Sequence, residues 1–341
     1  MKATKCQVLL FILFPFILQP KIHGENASPE FNIKLAAIAP EGTQWSDVGK
    51  EFADMVYRET NGKVRVVLYL GGVMGDEPDV IRKIKLGQLQ GGIFTAVGLE
   101  KIAPEIRVLT LPNLFRNYEE VDYVLEKLTP DFKKLFEDRG FIFFGWVEVG
   151  FAYFFSTKYI MTTDDLKKTK IWTWSGYPMV EAVAKIMDYG TTVPLAFPDV
   201  LMGLKTGLIE TFFSPLYAAV ATQWYQYAKY LNIAPVAYSP GGALLDKKTF
   251  SSLPTEFQKI YVDAANKTIS RCTDIIRQEH INALEGMKKR GIEVLDPPQE
   301  IRLENEKKAM EIYSKLGDKF YPEWIFKKIT GLLEEKRKTR E

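Results

Sequence analysis

Asp164-Asp165-Leu166-Lys167-Lys168-Thr169-Lys170-Ile171-Trp172 is the stretch from which the rest of this chain can be read. Its paired carboxylates fit a helix N-terminus, where negative charge is favourable, and Lys170–Trp174 reads as a strand. Upstream, Phe141–Val149 is apolar for nearly its whole length, as a central strand covered on both faces would be. Ala152–Ser156 reads as a further strand. Downstream come helices at Pro178–Met187 and Pro198–Thr206, a strand at Ile209–Phe213 and a helical stretch near Tyr217–Trp224. Lys229–Ala237 reads as the strand that leads back to the first half of the chain.

The first half has the same grammar. Asn32–Ala39 reads as a strand, and Trp45, Val48, Phe52, Met55 and Val56 then recur at helical spacing up to Asn61-Gly62. Val64, Val66, Leu68 and Leu70 alternate as a strand, Gly71, Gly72 and Gly75 make a turn, and Val80, Ile81 and Ile84 give the next helix. Gly91–Val97 reads as a buried strand, and a helical region runs from Tyr118 to Arg139 with a break at Pro130. Between Pro254 and Arg290 only Gly286 interrupts a helical pattern, which as one helix would be ~55 Å long. Two stacked helices and a single spine spanning two lobes both fit it. Alternating strands and helices argue for an α/β fold, and 341 residues suit two domains.

Lys2 and Lys5, the apolar run Val8–Leu18 and Ile22-His23-Gly24 predict a signal peptide over residues 1–24 and a periplasmic mature protein. Its removal takes three of the 45 basic residues and none of the 43 acidic ones, leaving a net charge of about −1. A near-neutral chain argues against a nucleic-acid partner. The basic end, Lys336–Arg340, reads as a frayed helix tail. Cys272 alone survives cleavage, which excludes an internal disulfide, and it reads as a small buried residue. One mature histidine, His280, and no paired cysteines leave no zinc constellation, and no phosphate-cradling glycine motif is present. His280 reads as a surface or satisfied side chain. No cofactor is expected, and no nucleophile–base pair suggests an enzyme. The aromatic run Tyr217, Trp224, Tyr225 and Tyr227 fits packing under a hinge better than a cleft border.

The opening stretch resembles a motif of the DctP-type solute-binding proteins of TRAP (tripartite ATP-independent periplasmic) transporters. The similarity runs from about Phe31 to Lys315. It takes in Ala39-Pro40-Glu41-Gly42-Thr43-Gln44-Trp45, Glu59-Thr60-Asn61-Gly62-Lys63-Val64 and Gly75-Asp76-Glu77. Leu111-Pro112-Asn113-Leu114-Phe115-Arg116, Gly150-Phe151, Val193-Pro194-Leu195-Ala196-Phe197 and Leu204-Lys205-Thr206-Gly207 follow in the family's order. The resemblance implies two α/β lobes with a strand hinge and a long spanning helix, the ligand in the cleft, and docking of the closed form on a membrane permease. On it, lobe I is expected at 31–148 plus 238–277 and lobe II at 149–237 plus 278–330.

The departures carry the functional reading. In the family the opening motif ends in an arginine that grips the ligand carboxylate through two parallel hydrogen bonds; this chain has Trp172. Beside Gly150-Phe151, the family's asparagine and second arginine are Val149 and Ala152. After Gly207 its polar run is replaced by Thr211-Phe212-Phe213-Ser214-Pro215. The expected ligand site is therefore Trp45, Glu77, Val149, Phe151, Trp172, Trp174, Phe197, Phe212, Phe213 and Ser214, and the expected ligand hydrophobic or aromatic-rich. An unpaired carboxylate in a closed cleft would cost several kcal/mol. Two alternatives stand beside this reading: a small-carboxylate binder using another cation, and a handover partner of a tetratricopeptide-repeat lipoprotein.

Overall fold

The structure, a computed structural model, describes residues 28–338, so the expected signal segment lies outside the described residues. The chain opens with β1 (Phe31–Ala37), α1 (Gln44–Glu59), β2 (Val64–Tyr69), α2 (Glu77–Lys85), β3 (Gly91–Thr95) and α3 (Ala96–Ile102). Helix α4 (Tyr118–Asp138) precedes the long strand β4 (Phe141–Ser156). There follow α5 (Thr163–Leu166), β5 (Lys170–Trp174), α6 (Pro178–Ile186), β6 (Thr191–Leu195), α7 (Val200–Thr206), β7 (Thr211–Pro215) and α8 (Leu216–Ala221). A second long strand, β8 (Tyr230–Asp246), leads into α9 (Lys247–Ser252) and α10 (Thr255–Lys289). The chain then runs through β9 (Glu293–Leu295), α11 (Gln299–Leu316) and α12 (Glu323–Lys338).

The nine strands of the described residues form one sheet in the order β2-β1-β3-β8-β4-β7-β5-β6, with β9 on β8. The two long strands are shared by its halves. The C-terminal part of β8 pairs with β3, and the C-terminal part of β4 pairs with β7. Between them β4 and β8 run antiparallel with register shifts at Phe143/Gly145, Glu148/Gly150 and Ala152/Phe154. Gly145 and Gly150 take φ of 158° and 111° there. Only glycine adopts such backbone cheaply, and each bulge bends the ladder where one half of the sheet gives way to the other.

The opening stretch folds as its residue types require. Thr162 and Asp165 form a reciprocal capping box at α5, and β5 follows directly. Helix α10 is a single element of 35 residues, about 52 Å at 1.5 Å per residue. Among its buried positions Tyr261, Ala265, Thr268, Cys272, Ile276, His280, Ala283 and Met287 follow one another three or four apart, so one face stays covered along most of its length. That continuity resolves the choice between two stacked helices and one spine.

Three expectations need correction. Phe141–Val149 and Ala152–Ser156 are one strand, because Gly150 absorbs the bulge between them. Helix α4 passes through Pro130 unbroken: Leu128, Phe132 and Phe136 are fully buried on either side and hold it through the lost hydrogen bond. The basic tail is docked as far as Lys338. Arg337 makes a two-pronged pair with Glu120, with both contacts at 2.8 Å, and donates to the Leu114 carbonyl.

Candidate ligand-binding site

A cavity of about 230 Å³ lies between the two halves of the sheet and continues under α1 and α10. Seven of the expected residues line it: Trp45, Val149, Trp172, Trp174, Phe197, Phe213 and Ser214. Ala152 lines it as well, so the two positions where the resemblance leads one to expect arginine both face this space.

Trp172 is the centre of its aromatic wall. The indole is 2% exposed, stacks on Phe213 at 5.3 Å and 21°, and meets the edge of Trp224 at 5.3 Å. Phe197 extends the wall by stacking on Trp174 at 5.2 Å. Three of the indole donors are already used. Trp172 Nε1 donates to the Leu195 carbonyl (3.1 Å), Trp45 Nε1 to the Glu148 carbonyl (3.1 Å), and Trp174 Nε1 to Asp76 Oδ2 (2.8 Å). Several hydroxyls are committed too: Ser214 to the Pro215 carbonyl, Thr222 to Ala218, Thr268 to Ala264, and Tyr177 to Thr110. No Lys, Arg, His, Asp or Glu is among the described residues that line the cavity. It offers a ligand ring faces and aliphatic carbon, and almost no polarity.

Three expected residues stand elsewhere. Phe212 is the strand neighbour of Phe213 and so points to the opposite face, where it is fully buried and stacks on Phe155 at 4.9 Å and 1°. Phe151 is carried off the cavity by the bulge at Gly150 and packs on Tyr118 (5.0 Å) and Tyr238 (5.4 Å). Glu77 turns inward from the first turn of α2. It accepts from Thr95 N (2.7 Å), Thr95 Oγ1 (2.9 Å) and Gly98 N (2.6 Å), tying α2 to the junction of β3 and α3. Burial pushes its carboxyl up to about 7 despite those donors.

The sequence reading also passed over two residues. Asp76, beside Glu77, caps α2 and accepts from both Trp174 Nε1 and Phe197 N, bridging the first half of the molecule to the second. A carboxylate at a helix N-terminus reads as a cap, and no sequence pattern reveals the second use. Trp224, expected to pack under the hinge, is on the cavity wall against Trp172 and Phe197. His280 is buried and satisfied. Its Nδ1 accepts from Tyr217 N (3.2 Å), which leaves Nε2 to donate to the Val149 carbonyl (3.1 Å). Gly150 is glycine for that reason as well: a Cβ there would come within 2.3 Å of His280 Nε2.

Residues 35–319 match the DctP family, described as bacterial extracellular solute-binding protein, family 7. The chain belongs to this family. Among its relatives is the 2,3-diketo-L-gulonate-binding periplasmic protein YiaO of Escherichia coli (strain K12), 25% identical over 248 residues, 72% of this chain and 75% of that one. A sugar-acid-binding protein from Advenella mimigardefordensis, solved with galactonate, superimposes with a TM-score of 0.84 at 21% identity, covering 90% of this chain and 99% of the other. A TRAP periplasmic solute-binding protein from Xanthobacter autotrophicus Py2, with bound β-D-galacturonate, gives 0.80 at 22%, covering 89% and 99%. The fold is thus the two-lobed α/β fold of TRAP solute-binding proteins. DctP-family members are receptors, not enzymes, and they work with TRAP membrane permeases.

Proposed function

We propose that this DctP-family receptor captures an uncharged, largely apolar small molecule outside the cytoplasm and delivers it to a TRAP permease. The observation that carries the reading is the cavity lining, which includes no ionisable side chain except tyrosine and Cys272. The solved relatives hold sugar acids, and a sugar acid entering this space would find a tryptophan and an alanine at the two arginine positions. Several kcal/mol of carboxylate desolvation would go uncompensated. An apolar void of about 230 Å³ left empty forgoes up to roughly 5 kcal/mol of packing, which an apolar ligand restores.

A small acid held by another cation is the competing reading. A cation paired to the hinge strand is Arg277, through Glu148, and it does not line the cavity. Its guanidinium is spent on Glu148 Oε2 (2.9 Å) and Asp122 Oδ2 (2.8 Å) and lies 4.3 Å over the Tyr118 ring. Handover to a tetratricopeptide-repeat lipoprotein is compatible with an apolar cargo and would add a receiver to the permease.

The bulges at Glu148/Gly150 and Ala152/Phe154 support lobe boundaries near residues 148 and 237, with closure about β4 and β8. Small-angle scattering should show a smaller radius of gyration on ligand addition, and an unchanged profile at saturation counts against closure. Mass spectrometry of small molecules extracted from the native, exported protein tests the function. A neutral lipophile is expected, on a chain that starts near Glu25. A sugar acid or dicarboxylate at stoichiometric occupancy would overturn the proposal.

A further inference from the structure

We propose that the cavity is a two-part site, and that its second part is a channel for a straight aliphatic chain, running between α1, α10 and the sheet inside the first half of the molecule. This rests on the apolar-ligand reading above and names the ligand's shape: an amphiphile or hydrocarbon with an extended alkyl arm.

The lining positions draw the channel. On α1 they are Trp45, Val48, Gly49 and Phe52, the i, i+3, i+4, i+7 face of a helix. On α10 they include Tyr261, Ala265, Thr268 and Cys272, again one face. Tyr261 to Cys272 is eleven residues, so the cavity follows α10 for about 16 Å. Leu35, Leu68 and Phe144 supply the sheet side. A volume of about 230 Å³ drawn out over that length, and shared with the aromatic end, is long and narrow. Such a space suits a chain, not a fused ring system.

Gly49 stands inside α1, where glycine disfavours the helix, and lets α1 lie close on β2: a Cβ there would come within 3.2 Å of Leu68 Cδ1. Ala265 keeps the side chain short on the α10 wall. Two polar groups on the α10 wall are closed to a ligand. Thr268 donates its hydroxyl back to the Ala264 carbonyl at 2.8 Å, and burial pushes the Cys272 thiol up to about 12, so it stays neutral. Trp45 stands where channel and cleft meet, with its ring 4.7 Å from Tyr217 and its donor on the hinge strand.

Calorimetry with straight-chain alcohols from hexanol to hexadecanol, alongside naphthalene as a probe of the aromatic end, tests the assignment. For the wild type, affinity should climb roughly four-fold per methylene until the channel is full. Ala265→Leu should reach its plateau about three carbons earlier, the size of the added side chain, with naphthalene binding unchanged. If the wild type gains nothing beyond the short alcohols, or Ala265→Leu leaves the series unaltered while both proteins bind naphthalene, the channel is refuted and the apolar cleft survives. If the wild type binds neither class of probe, both readings fall. Should Ala265→Leu lose naphthalene too, the smaller Ala265→Val takes its place, and an unshifted plateau there refutes the channel.

Discussion

The two faces of β4 treat charge in opposite ways. On one face Val147, Val149 and Ala152 look into a cavity without a single charged side chain. On the other, Glu148 is 3% exposed yet keeps Arg277 at 2.9 Å, and Arg277 in turn holds Asp122. One residue of strand separates the regimes. Burial pushes the Glu148 carboxyl up, opposed by the Arg277 charge and hydrogen bond. The lesson is that this fold buries a carboxylate only where donors of its own come with it, a guanidinium at Glu148 and backbone and hydroxyl groups at Glu77. The described cavity lining includes no guanidinium or ammonium to offer a ligand.

The comparison breaks most visibly at Arg277. Arg277→Met leaves Glu148 buried without its cation and should destabilise the protein by about 3–5 kcal/mol in urea unfolding near neutral pH. The loss should shrink on acidification as Glu148 takes up a proton, while affinity for an apolar probe stays within a few-fold. A loss of binding without loss of stability would mean that Arg277 serves the ligand after all.

His280 gives the next largest effect. It is 7% exposed, and burial is the main cause holding its pKa down at about 4, below the ordinary 6.5, with Arg277 adding to it. The folded state therefore favours the neutral ring. Its contribution is complete above pH 6.5 and is lost as pH falls toward 4, about 3 kcal/mol over that window. Because the ring joins α10 to both Val149 and Tyr217, unfolding free energies measured against pH should show this loss. His280→Gln should flatten that part of the profile, and an unchanged slope would remove histidine from the account.

At the small end, Ser214→Ala should change ligand affinity by less than about 1 kcal/mol, since its hydroxyl is engaged with the Pro215 carbonyl. A large loss would show that Ser214 turns to the ligand and that the cavity is more polar than its resting hydrogen bonds suggest.

Much of the fold was legible because its signals are local. The carboxylate pair at Asp164-Asp165 read correctly as a helix start, the apolar run from Phe141 as a strand though not to its full length, and the stretch beyond Pro254 as helical though not as one element. Pro130 misled because tertiary burial of Phe132 and Phe136 outweighs one lost hydrogen bond. The site was legible where a motif fixed position, as at Trp172, and illegible where a bulge decided direction. Gly150 turns Phe151 away while leaving Val149 and Ala152 on the cavity, and nothing in strand periodicity announces that. Phe52, Leu68 and Tyr261 have the spacing of ordinary core residues, so only the packed structure distinguishes a lining from a filling.

The central claim is that the cavity selects against charge, and calorimetry on wild type and Trp172→Arg tests it most directly. Wild type should bind dodecanol or naphthalene and give no measurable heat with galactonate. Trp172→Arg should lose the apolar probes by 100-fold or more, as a buried guanidinium repels them, and gain weak binding of galactonate. Tight galactonate binding by the wild type would contradict the account, whatever the variant does.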